Sequence, residues 1–203
     1  MAATIDSGIP GLQLAQGDHI CAFYQGQRGR FELLLPFLRA GLAAGEKCIC
    51  VVEASDIPAL ANELGSDGRE AGTGVEHQLD LLPAEQVYLQ TGAFEADLML
   101  DFWDDVVSTA VRSEGFSFVR SAGDTTWALS DPPGVNGLVA YEARINRFLP
   151  LYPQIILCLY DMTRLSGHLL VEMVKTHPRI LVQGTVVENP DYLEPDEFLA
   201  GRE

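Results

Sequence analysis

The sequence predicts an α/β fold: a three-layer, mostly parallel sheet flanked by helices, with a C-terminal β-hairpin. Three observations carry that expectation. Short apolar runs alternate with amphipathic helical stretches along most of the chain, the pattern of consecutive βα units. Ile155 to Tyr160 is continuously apolar, and so is most of Cys48 to Glu53, as in strands covered on both faces. Two short strand-like runs then meet at Gly184, which reads as an antiparallel hairpin.

Taken in order, residues 1–16 read as a loose lead-in. His19 to Phe23 is the first strand. Phe31 to Ala43 is a helix, with Leu33, Leu34, Phe37, Leu38 and Leu42 at helical spacing. Between them lies Gln25-Gly26-Gln27-Arg28-Gly29-Arg30. This is the opening of a nucleotide-binding α/β domain, in which a phosphate-cradling loop would end in Gly-Lys-Ser/Thr. That ending is missing, so nucleotide turnover is not expected and the scaffold points to sensing.

Cys48 to Glu53 is the second strand. A helix through Leu64 follows, capped by Ser55 or Asp56 with Pro58 in its first turn. Gly65 to Gly74 reads as a loop or short helical piece, and Gln78 to Leu82 as a strand. Glu95 to Ser113 is a long amphipathic helix with Leu98, Phe102, Val106 and Ala110 on one face. Phe116 to Arg120 is a strand, Gly123 to Asp131 a loop containing Trp127, and Asn136 to Leu149 a helix. The strand Ile155 to Tyr160 ends at Asp161, and Ser166 caps a helix to Lys175. Arg179 to Gln183 and Thr185 to Val187 form the hairpin, and Glu188 to Glu203 is acidic and turn-rich.

Composition narrows the function. A chain of 203 residues with 47% apolar side chains can bury one sizeable core. The net charge of −16, with only 13 Lys and Arg scattered along the chain, argues against direct nucleic-acid contact. No run of 18 apolar residues predicts a membrane helix. The first 17 residues lack the charged and apolar regions of a signal peptide, so a cytoplasmic location is expected, with reduced cysteines. Neither Gly-x-Ser-x-Gly nor His-Glu-x-x-His is present, and no enzyme activity is expected.

Ligands of open α/β sheets bind outside the carboxyl ends of the strands. That rule gathers Phe23, Tyr24, Glu53, Ser121, Trp127 and Asp161 around one crevice. Phe23, Tyr24, Trp127 and Tyr160 would give it a mostly apolar lining, with Glu142 and Asp161 as polar contacts. His19 and Cys21 lie two apart on a strand, so imidazole and thiol share a face and suit zinc or a similar metal. The competing reading makes Cys21 and Cys158 small buried hydrophobes and His19 a hydrogen-bonded residue at a strand start. Cys48 and Cys50 repeat the spacing and read as core thiols. His177, before Pro178, reads as a cap on the preceding helix.

Several stretches resemble the MEDS family of methanogen/methylotroph sensory domains. They are Gly17 to Tyr24, Pro36 to Leu42, Gly45 to Cys48, Leu82 to Glu85, Thr126 to Leu129, Tyr141 to Asn146, Leu157 to Asp161 and Thr176 to Pro178. Their order assigns a sensory domain to residues 17–198, with 199–203 as a tail. The resemblance implies a RecA/KaiC-like core without a working phosphate loop, and simple hydrocarbon or one-carbon-type ligands. In a sheet of that kind the first strand neighbours the one carrying Cys158, and the resemblance implies a metal at His19, Cys21 and Cys158, with His177 a further candidate. Members of the family are often fused to an output module that this sequence does not carry. The signal is therefore expected to pass to a separate anti-sigma factor, histidine kinase or DNA-binding regulator, or through a homo-oligomer. A ligand-free interaction module for an anti-sigma factor or histidine kinase is the alternative, and a residual nucleotide-binding protein the third reading.

Overall fold

The computed structural model describes residues 5–65 and 75–201. β1 (Ile5–Asp6) and β2 (Gln13–Leu14) form a small antiparallel ribbon. β3 (His19–Tyr24) passes through the single residue Gln25 into α1 (Gly26–Ala44). β4 (Lys47–Val52) leads through a 3-10 turn over Ala54–Asp56 into α2 (Ile57–Gly65). Then come α3 (Val75–Gln78), β5 (Leu79–Pro83), α4 (Ala84–Tyr88) and α5 (Ala96–Arg112). β6 (Val119–Asp124) is followed by a 3-10 turn over Thr126–Ser130 and by α6 (Leu138–Phe148). The chain continues through β7 (Gln154–Asp161), α7 (Gly167–Thr176), β8 (Arg179–Val182), β9 (Thr185–Glu188) and α8 (Pro195–Ala200).

Among the described residues, seven strands form one sheet in the order β5-β4-β6-β7-β3-β8-β9. Every pairing is parallel except β8 with β9. Side chains alternate between the faces. Ile20, Ala22, Cys48, Cys50, Leu157 and Leu159 pack with α1 and α2, whereas Cys21, Ile49, Val51, Cys158 and Tyr160 pack with α5, α6 and α7. The predicted three-layer α/β architecture is therefore present. So is the hairpin: Gln183 (φ 49°) and Gly184 (φ 74°) both take the positive φ that a two-residue type I′ turn requires. Ser166 caps α7 as expected, its Oγ accepting from the Leu169 N–H at 3.2 Å. No helix among the described residues is long and apolar enough to cross a membrane.

Several expectations are corrected. α1 starts at Gly26, so the helix itself occupies the stretch where a phosphate loop was sought. Residues 5–16 are not loose: Ile9, Leu12 and Leu14 are buried against the α1 face. Arg120 holds them there. Its guanidinium pairs with Glu46 at 2.8 Å and donates to the carbonyls of Asp6 and Phe37 at 2.9 Å. Gly41 of α1 makes room for it, because a Cβ there would lie 2.9 Å from the Arg120 Nε. The buried stripe of α5 is Met99, Trp103, Val107 and Ala110, one position round from the expected face. Trp103 sets that rotation by donating its indole N–H to the Tyr141 hydroxyl at 2.6 Å. The sixth strand starts at Val119 rather than Phe116, since the Phe116 N–H turns back to the Ala110 carbonyl of α5. Asp56 turns inward instead of capping α2, and the acidic tail contains α8, with Phe198 buried. The loop expected at Gly65 to Gly74 lies almost wholly outside the described residues.

Replacing Arg120 by Met keeps the bulk but takes the guanidinium from Glu46 and from the carbonyls of Asp6, Ser7 and Phe37. Denaturant unfolding is expected to show a loss of about 3–5 kcal/mol, as when one member of a buried ion pair is removed. A loss within the scatter of ordinary surface substitutions would contradict this role.

Candidate functional site

Four potential donors meet in the core on the α6 side of the sheet. His19 opens β3, Cys158 lies on the adjacent β7, Glu142 projects from α6, and His177 ends α7. One ligand atom from each falls within 4.8 Å of all the others, and all four residues are buried. His19 Nε2 lies 3.3 Å from Cys158 Sγ and 3.4 Å from a Glu142 carboxyl oxygen. That oxygen is 3.6 Å from His177 Nε2 and 3.6 Å from Cys158 Sγ.

The far side of each ring is fixed. His19 Nδ1 lies 3.1 Å from the Asn146 amide oxygen, and that amide is oriented by its own donation to the Thr176 carbonyl at 2.8 Å. His177 Nδ1 lies 2.7 Å from the Met173 carbonyl. Both Nδ1 atoms face acceptors and so carry the proton. Both Nε2 lone pairs therefore point at the same centre. This is the arrangement by which outer partners orient metal-ligating imidazoles.

Electrostatics agree. Burial lowers His19 and His177 to about 3, so both rings are neutral. Burial also raises the Glu142 carboxyl above its ordinary value and the Cys158 thiol well above its own. A metal-free core would hold protons on the acid and the thiol; a cation would displace both. The donor set fits such a cation. Zinc bonds of 2.0–2.3 Å to N, O and S in a tetrahedron put donors about 3.3–3.6 Å apart; four of the six donor pairs are at that spacing, and an ion would draw in the rest, which lie within 4.8 Å.

At the carboxyl ends of β3, β4 and β6 the structure places a different cluster. Arg30 of α1, itself buried, pairs with Asp124 at 2.8 Å, with Glu53 at 2.7 Å and with Asp56. The Tyr24 hydroxyl donates to Asp124 at 2.8 Å. Burial pushes Glu53 up, but the hydrogen bonds and charges of Arg30 and Arg164 outweigh it and hold Glu53 below its ordinary value. A guanidinium and three carboxylates thus fill the strand ends where open α/β sheets take ligands.

The expected single crevice is divided accordingly. Trp127 lines a cleft of about 460 Å³ beyond β4, β5 and β6, together with Glu53, Ser55, Glu85, Thr126 and Arg164. These polar neighbours replace the mostly apolar lining expected. Phe23 and Tyr24 line a second cleft of about 430 Å³ with Ile9, Arg28 and Met162. Glu142 belongs to the buried donor group, and Tyr160 packs beside it, its hydroxyl 3.5 Å from His177 Nε2. Asp161 accepts from the Thr163 N–H at 2.9 Å and serves the turn after β7. Ser121 is buried within β6, away from either cleft.

Of the three residues expected to bind metal, His19 and Cys158 are in the group and Cys21 is not. Cys21 lies opposite Cys158 on the neighbouring strand, while the longer His19 side chain, opposite Ile156, reaches the Cys158 sulfur. Glu142 and His177 complete the set. Glu142 carried a readable signal, since it shares the inward stripe of α6 with Leu138 and Ile145. His177 is neutral, which removes the reading of a charged helix cap. Cys48 and Cys50 are core thiols on the opposite face, as expected.

Comparison with known proteins gives three findings. Residues 18–178 match the family model for the methanogen/methylotroph, DcmR sensory domain, MEDS. The chain is 31% identical over 175 residues to the transcriptional repressor DcmR of Methylorubrum extorquens, a match covering 83% of this chain and 61% of the repressor. A KaiC-like protein of the archaeon Pyrococcus horikoshii OT3 superposes with a TM-score of 0.60 at 14% identity, covering 89% of this chain and 80% of its own, which establishes the fold.

Metal-stripped protein should lose stability on acidification. Unfolded histidines take up protons near 6.5 and these folded ones only near 3, so the unfolded chain binds more protons in between. Glu142 opposes this, because its raised value lets the folded chain keep a proton above 4.5. Two groups against one leave a net loss of order 1.4 kcal/mol per pH unit as pH falls. Denaturation midpoints of the wild type and of a His19→Gln, His177→Gln double variant check it: with only Glu142 left, the variant's stability should hold or rise as pH falls, and a loss equal to the wild type's would contradict buried neutral imidazoles.

Proposed function

The chain belongs to the MEDS sensory family, and we propose that it is a non-enzymatic small-molecule sensor built around a buried metal ion and acting through a regulatory partner. The convergence of His19, Glu142, Cys158 and His177 supports this reading most directly. A zinc-like ion would accept the two Nε2 lone pairs, the thiolate and the carboxylate. It would supply the positive charge that lets the last two lose their protons inside the core. With four protein donors the coordination shell is closed, as in structural sites. The ion then ties β3, β7, α6 and the end of α7 into one unit, and the sensed molecule binds elsewhere.

The regulatory half of the proposal rests on the family and on the repressor relative. The chain spans 61% of that repressor's length. A DNA-binding regulator, an anti-sigma factor or a kinase is the class of partner proposed. Arg30 and its carboxylates, where phosphates would sit, support sensing without nucleotide turnover.

The test is mass spectrometry of freshly purified protein under non-denaturing and denaturing conditions, with elemental analysis. A stoichiometric divalent metal, lost on denaturation and absent from His177→Ala, is expected. Asn146→Ala, which frees the His19 ring, should weaken metal binding about 10- to 100-fold. Equal masses for protein prepared with zinc supplied would overturn the metal centre.

A further inference from the structure

We infer that the Trp127 cleft is the ligand site, and that it takes a small, uncharged organic molecule bearing a hydrogen-bond acceptor, such as a ketone, amide, ether or alcohol. This deepens the sensory reading and rests on it. The cleft lies beyond the carboxyl ends of β4, β5 and β6, where open α/β sheets bind ligands. Its volume of about 460 Å³ is within the range of small-molecule pockets.

The chemistry of the lining selects the class. Trp127 and Thr126 are each 4% exposed, yet the Trp127 indole N–H and the Thr126 hydroxyl have no hydrogen-bond partner. A buried donor left unpaired is unfavourable, and most native ones are satisfied. Both residues line the cleft, and their donors, closed to solvent in the structure, are reached by an outside acceptor once the side chains turn toward the cleft. Charge excludes an anion. Glu53 and Glu85 both line the cleft, and the cationic side chain there, Arg164, already faces Glu53 at 3.2 Å. A neutral acceptor satisfies the donors without adding to that negative field.

The same residues connect the cleft to the rest of the molecule. Trp127 stacks on Tyr88 with ring centroids 4.8 Å apart, and on Phe94 at 4.9 Å. The Tyr88 hydroxyl lies so close to β6 that a Cβ at Gly123 would come within 2.5 Å of it. Movement of the indole is thereby passed, through one packed ring, to β6. Glu53 offers a second route, since it binds Arg164 at the cleft and Arg30 in the ion network.

The experiment is amide and indole NMR on the metal-loaded protein. The chain has two tryptophans, so two indole N–H signals are expected; Trp103 is bonded to Tyr141 and serves as the internal control. The probes are cyclohexanone, N-methylpyrrolidone, tetrahydropyran and cyclohexanol, against cyclohexanecarboxylate and methylcyclohexane. A neutral acceptor should shift the Trp127 signal downfield in a saturable way and leave Trp103 in place. Trp127→Phe and the near-isosteric Thr126→Val should each weaken binding about tenfold, the loss of one useful hydrogen bond. An unmoved Trp103 signal in each variant verifies folding. If no neutral probe shifts Trp127, or if the carboxylate or the hydrocarbon binds as well, the inference is overturned. Metal content measured on the same sample separates that failure from failure of the sensory centre.

Discussion

A carboxyl group taken wholly out of water must be neutralised inside the fold, and Glu142 imposes that constraint on everything around it. Around it stand two neutral imidazoles, from β3 and the end of α7, and a thiol from β7, so neutrality comes from a proton on the carboxyl or from a cation that all four would share. Each ring needs its own support. Asn146 holds one ring and the Met173 carbonyl the other, and Asn146 is held by the last turn of α7. The cluster therefore couples α6, α7 and the two adjacent strands more tightly than apolar packing alone would. That rigidity is what a domain needs if a change at its surface is to be transmitted rather than absorbed.

The opposite side of the sheet solves a related problem with charge. In a nucleotide-binding protein, the first strand and helix leave a loop whose backbone receives phosphate. Here Gln25 alone connects them, and Arg30, one turn into α1, reaches Asp124, Glu53 and Asp56. The strand ends are thus closed by an internal ion network. Clefts lie to either side of it, one beside Phe23 and one beside Trp127. The fold is shared with a KaiC-like protein at 14% identity, and fold alone does not carry function.

The sequence was most legible where the signal is local and periodic. Alternating apolar strands and helices set the layers, Gln183-Gly184 set the hairpin, and Ser166 marked a helix start. His19 was visible as a candidate ligand because it shares a strand face with Cys21, two residues on. Assembly in three dimensions was less legible. Cys21 shares a face with His19 but lacks its reach, and Glu142 looks like any acidic helix residue until its stripe is compared with Leu138 and Ile145. His177 lies 158 residues from His19, and only the order of β3 between β7 and β8 brings them to a ring separation of 3.9 Å. Arg30 reads only as part of the segment between the first strand and helix; inside α1 it turns inward and is buried. The single crevice inferred from strand ends was divided for the same reason.

The most direct measurement is X-ray absorption spectroscopy at the edge of whatever metal co-purifies with the protein. The account predicts a first shell of two imidazole nitrogens, one carboxylate oxygen and one sulfur, with the sulfur contribution lost in Cys158→Ser and retained in Cys21→Ser. A shell of light atoms and water alone, or a sulfur contribution that disappears with Cys21 instead, would contradict it.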